Sequence, residues 1–268
     1  MRRLLLVALL PACSLYFSDG SSTATAPDAG SVAQPAPSGA FELVLTKAIA
    51  GEHTVAGVDS DGAGGIWIAY CNDADYYTLK DVWVTHLDAT GAKLSEWMLK
   101  DHYEPIRGIA FTGDRVWLNY AVSGTGNNFL RALDATTGAT VGTFATEDGI
   151  VDISYDPAKD QLLLSNLWNS VIALDPNTGA IAWRTTIAAT DYSTQRGIAY
   201  DHGAIWLDQA FDEKFFIVNA DGALLGTGTA PTFQSSTPSQ DQLELAFDGS
   251  QLLMVYNDQI NWFTKRKL

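Results

Sequence analysis

The sequence predicts an all-β fold, a five-bladed β-propeller whose blades are four-stranded sheets. Three observations predict it. A unit of about 45 residues recurs along the chain, and each copy contains short apolar strands separated by turn residues. A period of that length, built from short strands, is typical of one propeller blade per repeat. A lone strand-like segment before the first copy matches the strand that the last copy lacks.

The copies align through their first two strands. The first strand ends in an aromatic residue in four of them, at 108–111 (GIAF), 152–155 (DISY), 197–200 (GIAY) and 244–247 (ELAF). The second strand is apolar in all copies, at 66–68, 116–118, 162–164, 205–207 and 252–254. Hairpins rich in Asp, Asn and Gly then follow the third strand, at 88–91, 134–138, 175–179 and 219–222.

The two ends of the repeat region predict how the ring closes. The last copy has strands at 243–247, 251–256 and 259–264 but no fourth strand, whereas residues 41–49 (FELVLTKAI) form a strand-like segment without a blade. We expect 41–49 to complete the last blade, because this pairing removes an exposed sheet edge and locks the ring. The propeller domain is therefore predicted over 41–268.

Composition limits the partners of the protein. Hydrophobic residues make up 47% of the chain and charged residues only 18%, which suits a core of stacked sheets in which Trp and Tyr fill the gaps. The formal net charge is −15. Because such a surface repels phosphate backbones, nucleic acid is not an expected partner.

The N-terminal region predicts a membrane anchor. Residues 1–12 have a short basic start and an apolar run that is too short to span a bilayer. The sequence Leu10-Pro11-Ala12-Cys13 resembles the lipobox of bacterial lipoproteins. The resemblance implies cleavage before Cys13, acyl chains on its amine and thiol, and anchorage in the membrane. The alternative is an ordinary secretory signal followed by a chance cysteine.

The residues after the lipobox fit an envelope location. Residues 13–40 are rich in Ser, Thr, Ala, Pro and Gly and predict a flexible tether. Ser14 after the cysteine is compatible with sorting to the outer membrane in many Gram-negative bacteria, where the propeller is periplasmic or surface-facing. Cys71 is the only other cysteine, so a lipidated Cys13 leaves no intramolecular disulfide.

Loop lengths predict which face of the propeller is functional. The turns from first to second strand and from third to fourth strand are short, whereas the connections at the opposite end vary in length. Variable loops on a rigid scaffold commonly carry binding residues. We therefore expect a protein or glycan partner on this long-loop face, contacted by segments 71–80, 101–107, 191–196 and 231–241.

Eight residues near one channel mouth are the candidate ligand-binding residues. The residues just before the innermost strands alternate in charge. In two of the repeats a Tyr lies four residues before an Arg-Gly pair. Tyr and Asn side chains bind sugars or peptides through stacking and amide hydrogen bonds. The charged residues form either a polar ligand site or an ion-pair ring that plugs the channel. The candidates are Arg107, Asp152, Arg196, Glu244, Tyr103, Tyr192, Asn119 and Asp208.

Catalytic and metal-binding motifs are not found. The sequence has no Ser-centred elbow, His-Glu-x-x-His, Walker loop or dinucleotide-binding glycine pattern, so we predict neither a catalytic residue nor a cofactor. His53 and His102 make a weak metal pair. Residues 59–62 (DSDG) contain part of a calcium loop but lack the downstream Glu, which favours a plain turn.

Two propeller families are similar to parts of the chain. Residues 173–183 (ALDPNTGAIAW) resemble the repeat of PQQ-like and YncE-like propellers, and 131–138 match it partially. The resemblance implies a structural motif, in which Asp and Gly make the turn and Trp packs between blades. Residues 242–245 (QLEL) resemble part of a pattern of the plant-type glutaminyl cyclotransferases, which are also five-bladed, but their Phe-Thr-Gln-Gly pattern is not present.

Three functions are consistent with this sequence. The first is an envelope-anchored lipoprotein with a noncatalytic binding or assembly module for a protein or glycan partner. The second is an enzyme that acts on a glycan or peptide at the channel mouth, with Glu104, Asp208 or Glu244 as acid or base. The third is a purely structural envelope component. Fold alone does not choose between them.

Overall fold

A computed structural model gives the architecture of the repeat region. It describes residues 41–48, 53–72, 81–99, 106–121, 128–147, 149–187, 195–209, 214–220, 223–229, 244–248, 251–256 and 259–265. Over these residues the secondary structure is β-strand joined by turns. In the part of the chain that the structure describes, no helix is long and apolar enough to cross a membrane.

The strands follow the predicted repeats. The first is β1 (Phe41–Ala48), and the first repeat contains β2 (His53–Ser60), β3 (Ile66–Asn72), β4 (Val82–Leu87) and β5 (Lys93–Leu99). The second contains β6 (Ile106–Phe111), β7 (Arg115–Ala121), β8 (Asn128–Asp134) and β9 (Thr140–Thr146). The third contains β10 (Ile150–Asp156), β11 (Gln161–Asn166), β12 (Ser170–Leu174) and β13 (Ile181–Thr186). The remainder are β14 (Gln195–Asp201), β15 (Ala204–Gln209), β16 (Lys214–Val218), β17 (Leu224–Thr229), β18 (Glu244–Phe247), β19 (Leu252–Tyr256) and β20 (Gln259–Lys265).

The first four repeats each fold into one four-stranded antiparallel sheet, and β1 joins the three strands of the last repeat in another. The strand orders are β2-β3-β4-β5, β6-β7-β8-β9, β10-β11-β12-β13, β14-β15-β16-β17 and β1-β20-β19-β18. In the last of these, β1 pairs with β20 from Phe41 opposite Lys265 to Ala48 opposite Gln259. The prediction of an all-β propeller with four-stranded antiparallel blades is confirmed.

The first strands of the sheets surround a common axis. β2 contacts β6, β6 contacts β10, β10 contacts β14, β14 contacts β18, and β18 contacts β2. The apolar core lies between neighbouring sheets, where Trp67, Trp117 and Trp206 are at most 2% exposed. The outer strands β5, β9 and β13 alternate exposed with partly buried residues. The predicted core role of these Trp residues is therefore correct.

The short turns of the repeats form as their residues predict. Gly91, Gly138 and Gly179 adopt φ values of 81°, 70° and 71°, which glycine tolerates without steric cost. The preceding aspartates accept backbone hydrogen bonds across the turn, as in the 2.7 Å bond from the Asn177 N–H to Asp175 Oδ1. Residues 59–62 likewise begin the turn from β2 to β3, where Asp61 Oδ1 accepts bonds from the N–H groups of Ala63 and Gly65.

Candidate functional site

A cavity of about 530 Å³ opens at the channel mouth where the short turns lie. It is the mouth opposite the long-loop face. Residues of the first strands and of the turns that follow them form its wall. They are Asp59, Ser60, Asp61, Gly62, Phe111, Thr112, Gly113, Tyr155, Pro157, Tyr200, His202, Phe247 and Asp248.

Four aromatic residues from one repeat position make up much of this wall. In the strand pairing Phe111 lies opposite Val116, Tyr155 opposite Leu162, Tyr200 opposite Ile205 and Phe247 opposite Leu252. We call these four residues the aromatic wall. The equivalent residue of the first sheet is Ser60, which lies opposite Ile66. The small Ser60 side chain leaves a gap in the aromatic set, and Ser60 itself lines the cavity.

A carboxylate stands beside the gap. Asp59 lies opposite Trp67, at the position that holds Ala or Ser in the other sheets: Ala110, Ser154, Ala199 and Ala246. Asp59 Oδ2 accepts a 2.6 Å bond from the Phe111 N–H of the neighbouring sheet, and Oδ1 accepts one of 2.8 Å from the Ser60 N–H. Ser154 Oγ makes the equivalent contact to the Tyr200 N–H at 3.1 Å.

Burial changes the acidity of Asp59. The protein around its carboxylate raises the pKa to about 7, and the backbone bonds from Phe111 and Ser60 only partly oppose this effect. The side chain nevertheless keeps some exposure to the cavity. Asp59 therefore exchanges its proton near neutral pH, as a group poised for binding or acid–base chemistry does.

Asp61 completes the acidic side of the cavity. His86 Nε2 lies 2.9 Å from Asp61 Oδ2, and the His86 ring stacks on Trp67 with centroids 4.2 Å apart. Burial opposes ionisation of Asp61, but the hydrogen bonds from His86, Ala63 and Gly65 outweigh it and hold the pKa below its ordinary value. We call Asp59, Ser60 and Asp61 the acidic corner.

Hydrogen bonds hold the two tyrosines of the aromatic wall. The Tyr155 hydroxyl donates to Asp160 Oδ1 at 2.9 Å, and burial together with this carboxylate raises the pKa of Tyr155 to about 12. Burial and the charge of Asp156, which accepts a bond from the Tyr200 hydroxyl, raise the pKa of Tyr200 as well. Both side chains are therefore neutral hydrogen-bond donors at neutral pH.

Three of the predicted ligand residues lie in the protein interior. Asp152 is 2% exposed, and its two carboxylate oxygens accept bonds of 2.7 Å from the Ile153 N–H and 2.8 Å from the Ile198 N–H. Asn119 is fully buried, and its amide donates to the Ile150 carbonyl at 3.3 Å. Asp208 is also fully buried. Asp152 thus links the third repeat to the fourth, and none of the three is among the residues that line the cavity.

The other predicted residues are described incompletely. Arg107 lies on β6 and is partly buried. Arg196 and Glu244 lie on β14 and β18, and their side chains are outside the description. Tyr103, Tyr192, Glu104 and Cys13 lie outside the described residues, as do most of the long-loop segments. The roles predicted for these residues stay predictions.

Repeat alignment contained a signal for the cavity that sequence reasoning missed. The aromatic residues at the ends of the first strands were used only to align the repeats. They lie beside the short turns, whereas function was predicted on the opposite, long-loop face. Extending the alignment to the first repeat puts Ser60 against four aromatic residues and Asp59 against Ala and Ser. A carboxylate at an otherwise small, buried repeat position is the feature that marks this mouth. Among the described residues, no group of His, Cys, Asp or Glu has a metal-binding arrangement.

Comparisons with known proteins bear on the fold. No protein-family model matches this chain, and no curated protein sequence matches it. The crystal structure of the glutaminyl cyclase of Myxococcus xanthus is similar, with a TM-score of 0.64 over 83% of this chain and 95% of that chain. At 13% identity this likeness shows the β-propeller fold alone.

Proposed function

We propose that this protein is a noncatalytic binding module, and that the cavity between the aromatic wall and the acidic corner receives its ligand. One observation carries the proposal: the cavity combines apolar rings with a few convergent polar groups at the mouth of a rigid ring. Ligand sites in proteins have this composition, and their volumes run from about 300 to 1,000 Å³. The cavity here is about 530 Å³.

The scaffold behind the site is inferred to be a five-bladed ring closed by β1. The five sheet orders and the cycle of contacts among the first strands support this count. The pairing of β1 with β20 supports closure by the segment predicted at 41–49. A closed ring fixes the positions of the residues around the cavity, because each inner strand packs between two neighbouring sheets.

Binding is expected to raise the melting temperature of the purified full-length protein, measured across a panel of glycans, peptides and small metabolites. A ligand at 100 times its Kd adds about 2.7 kcal/mol of stability. Ser60→Phe should abolish the shift, because it supplies the aromatic ring that the gap lacks. Thr143→Phe, on the exposed face of β9, should leave it unchanged. If no compound shifts the melting temperature, or Ser60→Phe has no effect on a shift, the cavity is not the site.

We also propose that lipidated Cys13 anchors the protein in the bacterial envelope, at the outer membrane. The lipobox-like sequence and the 13–40 tether support this anchor. Cys13→Ser is expected to abolish incorporation of an alkynyl fatty acid and to release the protein from the membrane fraction. Cys71→Ser is the matched control and should retain both. Label on the Cys13→Ser protein would contradict the proposal.

A protein or glycan partner on the long-loop face remains part of the proposal. Trp168, in the connection between β11 and β12 at that end, is 69% exposed, and aromatic residues are enriched in binding interfaces. Cross-linking on intact cells through a photoreactive residue at position 168 tests this partner. Absence of any adduct there would favour a purely structural role in the envelope.

An enzyme is the second candidate function, and Asp59 is the observation that favours it. A carboxyl group with a pKa of about 7 beside an open cavity suits general acid–base catalysis at neutral pH. The similar fold of the Myxococcus xanthus glutaminyl cyclase is compatible with such a role. Mass spectrometry of the peptides and glycans from the panel distinguishes the two functions, since a binding module leaves them unchanged.

A further inference from the structure

We propose that the ligand presents an organic cation, an ammonium or guanidinium group, to the acidic corner and the aromatic wall. This inference rests on the proposed function, because it assigns the chemistry of the ligand in the same cavity. Three features carry it: the charge balance of the cavity lining, the replacement of a small residue by Asp59, and the aromatic residues that line the same cavity.

Negative charge dominates the cavity. Asp59, Asp61 and Asp248 line it, and the one basic residue among the described lining residues is His202. The His202 side chain is 78% exposed and bonds to Asp201 at 2.9 Å, so it lies at the rim. The whole chain carries a net charge of −15, which raises the local concentration of cations and disfavours anions.

Asp59 occurs where burial opposes an ionised group. The equivalent Ser154 shows that a hydroxyl suffices for the bond to the next sheet, so the carboxylate exceeds what packing at this position needs. A buried carboxylate is stabilised in its charged form by an adjacent cation. A bound cation therefore supplies the counter-charge, and ligand binding displaces the Asp59 proton near neutral pH.

The aromatic wall favours an organic cation over a metal ion. The face of an aromatic ring attracts a cation by about 0.5 to 2 kcal/mol, and guanidinium and alkylammonium groups make this contact well. The cavity of about 530 Å³ also exceeds the space that one metal ion fills. Metal ions prefer converging oxygen, nitrogen or sulfur ligands, and no such cluster is present among the described residues.

Calorimetric titration of the purified full-length protein tests the charge directly. Nα-acetyl-arginine amide and Nα-acetyl-lysine amide are compared with their neutral analogues, Nα-acetyl-citrulline amide and Nα-acetyl-norleucine amide. We expect at least one cationic compound to bind about tenfold or more tightly than its neutral analogue, as charge-assisted contacts in a partly desolvated site do. Affinity should rise between about pH 6 and pH 8, as Asp59 loses its proton.

Two substitutions test whether the preference for a cation arises in the cavity. Asp59→Ser should reduce the preference for the cation about tenfold, since it removes a facing charge while keeping an acceptor for the Phe111 N–H. Asp81 is an exposed residue just before β4, so Asp81→Ser makes the same change in net charge outside the cavity lining and should have no effect. Capped peptides with one internal Arg or Lys identify the source of the cation. If the ligand is a polypeptide, these peptides should bind more tightly than the amides; if it is a small amine or guanidine, they should bind no more tightly.

Equal affinity for charged and neutral analogues would overturn the cation assignment and leave the cavity a binding site. Absence of binding by all four amides and by the peptides would overturn it as well. In that case the neutral glycans of the thermal panel still test the proposed function, because the Ser60→Phe effect does not depend on ligand charge. Failure of both experiments would reject the cavity as a site.

Discussion

Gly57→Val is expected to destabilise the domain by about 3 kcal/mol or more, because overpacking at a fixed backbone contact forces the strands apart. Gly57 lies on β2, and a Cβ at this position would be 2.8 Å from the Ile109 nitrogen and 3.0 Å from the Gly108 carbonyl carbon. Both atoms belong to the backbone of β6, so no side chain can move aside. The measurement is the free energy of unfolding in urea.

Gly142→Val is the matched control for this substitution. Gly142 lies on the outer strand β9, and its Cβ would meet only the Ala132 Cβ, at an ordinary distance of 3.9 Å. Valine suits an outer β-strand, so the free energy of unfolding should change by about 1 kcal/mol or less. Equal effects of the two substitutions would show that β2 and β6 do not approach through Gly57.

Asp59→Ser is expected to remove a pH dependence of stability. The pKa of Asp59 is about 7 in the folded protein, against an ordinary value of 3.8, so the folded state binds the proton more tightly. The stabilisation is complete below the unfolded pKa and is lost as the pH rises toward the folded one. Between about pH 4 and pH 8, stability of the wild type should fall by about 2 to 4 kcal/mol relative to Asp59→Ser, at 1.36 kcal/mol per pKa unit.

Urea unfolding at pH 4, 6 and 8 measures this difference, and Asp61→Ser provides a control of opposite sign. The pKa of Asp61 is lowered in the folded protein, so its contribution is present above the unfolded pKa and is lost as the pH falls. Among the described residues, the other ionisable side chains that line the cavity are Asp61, Tyr155, Tyr200, His202 and Asp248, and His86 bonds to Asp61. Both variants retain these groups apart from the residue that is changed. A constant difference between wild type and Asp59→Ser at all three pH values would refute the raised pKa.

Repeat spacing predicted the blades because local chemistry and global architecture agree in them. In the turns, the Asp175 side chain accepts a backbone hydrogen bond, and Gly179 adopts a positive φ because it has no Cβ; the apolar second strands supply the buried tryptophans. The pairing of β1 with β20 could also be predicted, because the sequence shows a last repeat without a fourth strand and a strand-like segment before the first repeat. A repeat fold can be predicted from sequence when local turn and strand propensities agree with the long-range pairing, as they do here.

The candidate site was harder to predict from the sequence because no single motif encodes it. The residues of the aromatic wall lie in four different repeats, and each alone is an ordinary core aromatic. Asp59 becomes unusual once its repeat position is known, because Ala or Ser occupies that position in the other repeats, and the pairing with Trp67 fixes the position. Asp152 was predicted as a ligand contact from its charge, and the structure places it in the interior, where its oxygens accept bonds from backbone N–H groups.

The pairing of β1 with β20 has a consequence for the order of folding. Phe41 pairs with Lys265, so the first strand of the domain finds its partner only after the rest of the domain has been synthesised. Pairing across so long a loop is slow compared with the hairpins inside each repeat. β1 therefore keeps an unpaired edge until β20 has been synthesised, and a chaperone that shields free sheet edges would have a site there for most of the synthesis of the domain.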